Sequence, residues 1–340
     1  MKKENDTVKK KIKPWKKIVI LIGSVLIVIA IASTIFIYTT LSKMNNYQPE
    51  ATIAPNNETF ETDSQETNDN ANASNPDDVI WPSAAAILND PDVFNILLIG
   101  QDRRPDQGRQ RSDSMILVSY SKKDKMIKLI SLMRDMYVQI PGYSDNRINA
   151  AYAFGGMELL DKTIAQNFGV MPDGNFEVDF DGFIKVIDVL GGIDINLPDY
   201  DTEYLNNVNK GNLITGTNHL NGEQSLQYAR IRYVGNADYE RTERQRNVVV
   251  QVLDKVLLLD TAGKLEILDE LLPYLTTDMS KAEILNYSLT VLQSGIIGIE
   301  QYRIPVDGAY TSSFIREMSV LVPDLDKNRE QLKEFILGKP

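Results

Sequence analysis

The chain has no cysteine and a single histidine, His219, in 340 residues. Without thiols there is no disulfide, no thiolate nucleophile and no Cys-zinc site. One histidine excludes an HExxH metal pair and makes any Ser-His-Asp triad depend on His219, whose setting at residues 216–222 (Gly-Thr-Asn-His-Leu-Asn-Gly) reads as a turn. Internal repeats and Walker or GxGxxG patterns are also missing, so Gly155-Gly156 and Gly191-Gly192 read as helix punctuation rather than phosphate loops. Any chemistry rests mainly on Asp, Glu, Arg, Lys, Tyr and Ser.

Positive charge is scarce after the start of the chain. Eight lysines lie within residues 1–17, Lys43 is the next basic residue, and none follows until Arg103. Residues 18–41 form an uncharged run of 24, rich in Ile, Val, Leu and Ala. At about 1.5 Å per residue it reaches roughly 36 Å, enough to cross a hydrocarbon core of about 30 Å. The lysines place the N-terminus inside and the rest of the chain outside. A cleaved signal peptide would show a shorter apolar stretch of about 7–15 residues and a small-x-small site. This run ends in Ile-Tyr-Thr-Thr-Leu, so a retained anchor is the reading adopted.

The first 17 residues carry eight lysines against Glu4 and Asp6, so the remainder bears −17 where the whole chain bears −11. An exported domain this acidic is a poor nucleic-acid binder. Residues 42–92, rich in Asn, Thr, Glu and Asp, read as a disordered stalk, with Ile80, Trp81 and residues 84–88 able to form a short helix against the domain. The remaining residues, 93–340, suffice for one large domain.

Within it, strands are expected at 93–99, 115–120, 126–133, 193–197 and 297–304. Helices are expected at 157–168, 180–190, 241–259, 265–272, 281–294 and 326–337. That alternation predicts an α/β domain, a three-layer α-β-α sandwich around a mixed central sheet. The leucine-rich stretch 256–275 reads as core, with the alternative of lining an apolar channel.

Two segments concentrate charge. Residues 100–115 follow a buried strand and carry Asp102, Arg103, Arg104, Asp106, Arg109, Arg111 and Asp113; strand periodicity would put Arg111 and Asp113 on one face. Residues 228–245 carry Arg230 and Arg232, expected to share a face of an extended segment. There Asp238 could cap the next helix, and Arg241 and Gln245 share its side near the positive end. Arg134 and Asp135, at the end of a strand, could join them. Guanidinium forks bind phosphate oxygens and aspartates hold hard divalent cations, so the pattern suits phosphoryl transfer. The bland alternative is surface ion pairing, which adds little stability.

At these segments the chain resembles the LytR-CpsA-Psr family of cell-wall glycopolymer ligases. The resemblance runs in order through Asn95-Ile-Leu-Leu-Ile-Gly-Gln-Asp-Arg-Arg, Arg111-Ser-Asp-Ser-Met, Ser131-Leu-Met-Arg-Asp-Met-Tyr-Val and Arg147-Ile-Asn-Ala-Ala-Tyr-Ala-Phe-Gly-Gly, then through residues 178–195, 220–232 and 238–245. Leu132-Met133 stands where the family usually has Ile-Pro, and Ser114 replaces a Thr; neither change removes a charged group.

The resemblance implies a magnesium-assisted transferase that moves a polyprenyl-pyrophosphate-linked polymer, such as teichoic acid or capsule, onto a peptidoglycan hydroxyl. Asp102 and Asp113 fall at the positions associated with the metal, for which Mn²⁺ would also serve. Arg111, Arg134, Arg230, Arg232, Arg241 and Gln245 fall where the pyrophosphate is held, with Asp238 beside them. The catalytic set expected is Asp102, Asp113, Arg232 and Asp238, with the base open between Asp238 and Asp102. The polyprenyl chain would need an apolar tunnel that the sequence does not locate. A lipid pyrophosphatase and a non-catalytic lipid-binding or regulatory protein are the competing expectations.

Overall fold

The structure, a computed structural model, describes residues 37–63, 72–73, 75–101, 108–209, 211–232 and 238–338. The strands among them are β1 (Asn45–Asn46), β2 (Asn72–Ala73), β3 (Val93–Gln101), β4 (Ser112–Ser121), β5 (Met126–Leu132), β6 (Tyr137–Val138) and β7 (Asn146–Arg147). They continue with β8 (Gly174–Asp179), β9 (Ile193–Leu197), β10 (Gly216–Leu220), β11 (Thr276–Thr277), β12 (Gly298–Ile304), β13 (Tyr310–Ile315) and β14 (Met318–Pro323). The helices are α1 (Ile148–Phe168), α2 (Phe180–Val189), α3 (Asp199–Asn209), α4 (Gly222–Arg230), α5 (Asp238–Leu258), α6 (Thr261–Leu271), α7 (Lys281–Ser294) and α8 (Leu325–Leu337).

A mixed seven-stranded sheet in the order β1-β11-β8-β3-β4-β5-β12 forms the centre. β3 runs parallel to β8, and β5 parallel to β12, while β4 lies antiparallel between β3 and β5. Hence β3, β5, β8 and β12 all end at one edge, where β4 begins. In open α/β sheets that carboxyl edge is the usual place for ligands.

Alternation along the strands builds two cores. Leu97, Ile99, Met115, Leu117, Ile130 and Leu132 face one way, against α1 and α8. Phe94, Ile96, Ile116, Tyr120, Ile127 and Leu129 face the other way, towards α5 and α7. Each fully buried leucine or isoleucine contributes about 1.5–3 kcal/mol. A third cluster, including Ile187, Ile193, Leu205, Leu220, Ala229, Ile231 and Val248, ties α2, β9, α3, β10 and α4 to α5.

Several expectations are corrected. α1 starts nine residues before the expected 157 and includes Gly155-Gly156. Gly156 breaks the helix at φ 67°, and a Cβ there would meet the Tyr47 hydroxyl at 1.9 Å. His219 lies in β10, not a turn, paired with Asp194 at 2.6 Å. Residues 228–230 are the end of α4 rather than an extended segment, because Asn221 and Gln224 form a capping box that starts a helix there.

The segment read as a disordered stalk packs on the domain where it is described. β1 joins the central sheet, Tyr47, Ile53, Trp81 and Leu88 pack on the core, and Glu58 holds Ser144. Of the apolar run 18–41, residues 18–36 lie outside the described residues and 37–41 are helical. Among the described residues no helix is long and apolar enough to cross a membrane.

Candidate functional site

Arg111 immediately precedes β4 and Asp113 is its second residue, so both stand at the carboxyl edge of the sheet. Arg134 and Asp135 follow β5 at the same edge. Arg134 Nη1 donates to Asp113 Oδ1 at 2.6 Å, and its Nε lies 3.5 Å from Asp135 Oδ2. Asp135 Oδ1 in turn lies 3.4 Å from Arg147 Nε, at the start of α1.

From the far side, the start of α5 closes the group. Asp238 Oδ1 accepts from Arg232 Nε at 3.3 Å and lies 3.0 Å from Arg241 Nη1. The Asp238 carboxyl also shares a hydrogen bond with Asp135. Aspartates therefore link Arg134, Arg147, Arg232 and Arg241, while Arg111 stands close enough to feel the Arg147 and Arg134 charges.

The electrostatics follow from this crowding. Burial lowers the affinity of Arg111 for its proton, and Arg147 and Arg134 add to that against Glu61 and Asp135. Arg241 is lowered first by burial and then by Arg134, against Asp238. Burial also works against Arg134, but Asp135, Asp113 and Asp238 together outweigh it and hold it above the ordinary arginine range. Asp135 is pushed up to about 6 by burial and by Asp238, against Arg134 and Arg147.

Among the described residues two guanidinium donors in the group make no hydrogen bond: Nε of Arg134, whose contact with Asp135 at 3.5 Å is an ion pair only, and Nε of Arg241 are buried, as is the likewise unbonded amide nitrogen of Asn149 in the first turn of α1. A buried donor that makes no hydrogen bond is costly. Donors left so beside several guanidiniums are matched by an anion with several oxygens.

Residues of the N-terminal segment lie on this cluster. Thr59 O accepts from Arg111 Nη2 at 2.9 Å, Glu61 is 3.9 Å from Arg111 and 3.2 Å from Arg147, and Asp63 pairs with Arg147.

A second network joins Gln101 and Gln110, on either side of residues 102–107. Gln101, the last residue of β3, donates to buried Glu177, which also accepts from Tyr152, and the backbone of Gln110 donates to Gln101 at 3.2 Å. Asp102, between these anchors, lies outside the described residues.

Arg111, Asp113, Arg134, Arg232, Asp238 and Arg241 are thus brought together. Gln245 sits one turn beyond Arg241 on α5, half-buried. Arg230 is not in the ion-pair group: it is exposed and stacks on Phe180, 4.5 Å from the ring centre. Arg147 and Tyr152 lie in a motif that carries the family resemblance but have no role assigned there. Glu61 and Glu177, 116 positions apart, carry no local signal.

Asp113 offers a partly exposed carboxylate for a cation. Among the described residues no group of three or more Asp, Glu or His side chains could hold a metal by itself. Magnesium is commonly held by one or two carboxylates plus substrate phosphate oxygens, and Asp113 suits such a site.

On the sheet face covered by α5 and α7, burial is incomplete. Leu98, Val118, Val249, Leu253, Ile284, Tyr287 and Val291 are only partly buried, and α7 has no fully buried residue. Leu258 and Leu268 of the leucine-rich stretch are exposed, whereas Leu271 and Leu272 are core.

The LytR_cpsA_psr family model matches residues 52–334. The chain belongs to the LytR-CpsA-Psr family. Its match starts inside the N-terminal segment that packs on the domain. It is 32% identical over 254 residues to the "Regulatory protein MsrR" of Staphylococcus aureus, covering 74% of this chain and 76% of that protein. It is 35% identical over 204 residues to the "Polyisoprenyl-teichoic acid--peptidoglycan teichoic acid transferase TagU" of Enterococcus faecalis, covering 57% and 64%. Among solved structures it resembles TagT of B. subtilis at a TM-score of 0.59 and 26% identity, covering 74% of this chain and 95% of that one.

Proposed function

We propose that this family member is a membrane-anchored phosphotransferase. It moves an anionic glycopolymer, teichoic acid or capsular polysaccharide, from a polyprenyl pyrophosphate carrier to a peptidoglycan hydroxyl. The observation that carries the reading is the buried arginine group in which, among the described residues, Nε of Arg134 and of Arg241 makes no hydrogen bond. The transferase named among its relatives supports it.

In the proposed reaction, Arg111, Arg134, Arg232 and Arg241 bind the pyrophosphate oxygens and offset the charge that spreads over them in the transition state. The acceptor hydroxyl oxygen forms a bond to the polymer-linked phosphorus. The bond from that phosphorus to the bridging oxygen breaks, and polyprenyl phosphate leaves with the electron pair. Asp238, fixed between Arg232 and Arg241, is the carboxylate we assign to receive the hydroxyl proton. Magnesium, when bound at Asp113 and Asp102, would neutralise part of the pyrophosphate charge. The polyprenyl chain would lie against the partly buried apolar side chains between the sheet and helices α5 and α7.

The apolar run 18–41, with lysines before it, would hold the domain outside the cytoplasmic membrane, where donor and wall meet. Purified full-length protein given lipid-linked polymer and peptidoglycan tests the reading. Wild type should form the phosphodiester, and Arg232→Ala, partly exposed in the fold, should abolish transfer while melting like wild type. Full transfer by Arg232→Ala overturns the site, and release of polyprenyl phosphate without peptidoglycan attachment would make the protein a hydrolase.

A further inference from the structure

A cleft of about 400 Å³ opens beside α5, lined by none of the arginines of the ion-pair group. At 100° per residue, Glu243, Asn247 and Gln251 form a polar stripe centred about 120° around the helix from Arg241. Asp194 and Asn196 project from the outer face of β9, whose alternate residues Ile193, Ile195 and Leu197 are buried. Tyr200 flanks the opening, 42% exposed. The floor is rigid: buried Arg244 is held by Asp201 through Nε and Nη2 at 2.8–3.1 Å, and by Glu240 at 2.8 Å.

This is a size that small ligands use, about 300–1,000 Å³. Its wall sets planar amide and carboxylate groups beside an exposed aromatic ring. That combination matches a pyranose, whose hydroxyls bond to the former and whose C–H face rests on the latter. The charge decides which glycan. Among the lining residues Asp194, which His219 also meets, Asp201, Glu240 and Glu243 face one cation, Arg244, so a polyphosphate or other anionic polymer is repelled. Among the described residues no group of three or more acidic or histidine side chains here could hold a metal.

We propose that this cleft is a subsite for a neutral glycan, the sugar backbone of the acceptor. The assignment of acceptor rests on the transferase reading above. The cleft adjoins the site through its floor: Arg244 Nη1 also donates to Ile231 O at 3.5 Å, next to Arg232. Holding a remote part of the acceptor would raise its local concentration at the reacting phosphorus.

The test titrates full-length protein in detergent with a β-1,4-linked N-acetylglucosamine tetramer, and separately with a glycerol-phosphate oligomer. Saturable binding of the tetramer and none of the anionic oligomer is expected. Tyr200→Ala and Glu243→Ala, both at exposed positions, should each weaken tetramer binding at least tenfold and raise the acceptor KM, leaving inorganic pyrophosphate binding at the wild-type level. No saturable tetramer binding, stronger binding of the anionic oligomer, or variants that bind the tetramer like wild type overturns the proposal. Arg232→Ala separates the two readings. It should keep tetramer binding and lose transfer; if it keeps both, the transferase site fails and the glycan subsite stands.

Discussion

Asp135 and Asp238, more than a hundred residues apart, meet carboxyl to carboxyl between Arg134, Arg147, Arg232 and Arg241. The contact joins the end of β5 to the start of α5, and it sets the spacing of the guanidiniums around it. Each aspartate is shared by two arginines, so the forks are held at fixed separations before any anion arrives. Preorganised donors of that kind avoid reorganisation cost when charge develops.

Arg241→Lys keeps the charge but loses the guanidinium fork and its buried Nε. A charge-assisted hydrogen bond contributes about 1.5–3 kcal/mol. Affinity for inorganic pyrophosphate, measured by calorimetry, should fall roughly tenfold to a hundredfold. Unchanged affinity would place the anion elsewhere.

Glu61 faces Arg111 and Arg147 from the N-terminal segment with a partly exposed carboxylate. A phosphate would compete with it for those arginines. Exposed ion pairs contribute about 0–1 kcal/mol, so Glu61→Gln should tighten pyrophosphate binding by up to about fivefold. Weaker binding would show instead that this segment orders the arginines for the anion.

Magnesium held at Asp113 predicts that EDTA stops donor turnover and that added Mg²⁺ or Mn²⁺ restores it. Asp113→Asn should raise the Mg²⁺ concentration needed for half-maximal rate. An unaltered metal response in that variant would move the metal away from Asp113.

Asp161 of α1 is buried, and burial, with Asp278 and Glu158, pushes it up to about 7 despite the 2.9 Å hydrogen bond from Asn175. The folded carboxyl holds its proton more tightly than the unfolded one. Its contribution is therefore fully present below about pH 4 and lost as pH rises through about 7. Asp161→Asn can still accept from Asn175. It should flatten the stability curve across that window and raise the melting temperature at pH 8. A variant whose pH dependence matches wild type would refute this assignment.

Strands β3, β4, β5, β9 and β12 were legible because each combines apolar alternation or an apolar run with a turn signal, and α7 because Ser280 and Glu283 form a capping box. The β13–β14 hairpin gave no such signal. Its turn residues Arg316 and Glu317 both adopt positive φ, 51° and 60°, where Asn-Gly or Asp-Gly would have marked the turn. β8 was missed because Gly174–Asp179 has only two large apolar residues, Phe176 and Val178, and owes its strand to neighbours on both sides.

The sequence alone determined the chemistry available: no thiol, one histidine, and arginines with aspartates in two segments at a strand end and a helix start. It did so because residue type and local spacing are enough to name donors and acceptors. Only the tertiary structure decided which of them form one site. Sheet direction brought Arg111, Asp113, Arg134 and Asp135 to one edge, and the packing of α5 set Asp238 and Arg241 against them. The end of α4 set Arg230 apart on Phe180 instead. Those choices depend on contacts between distant segments, whose register and burial no local pattern specifies.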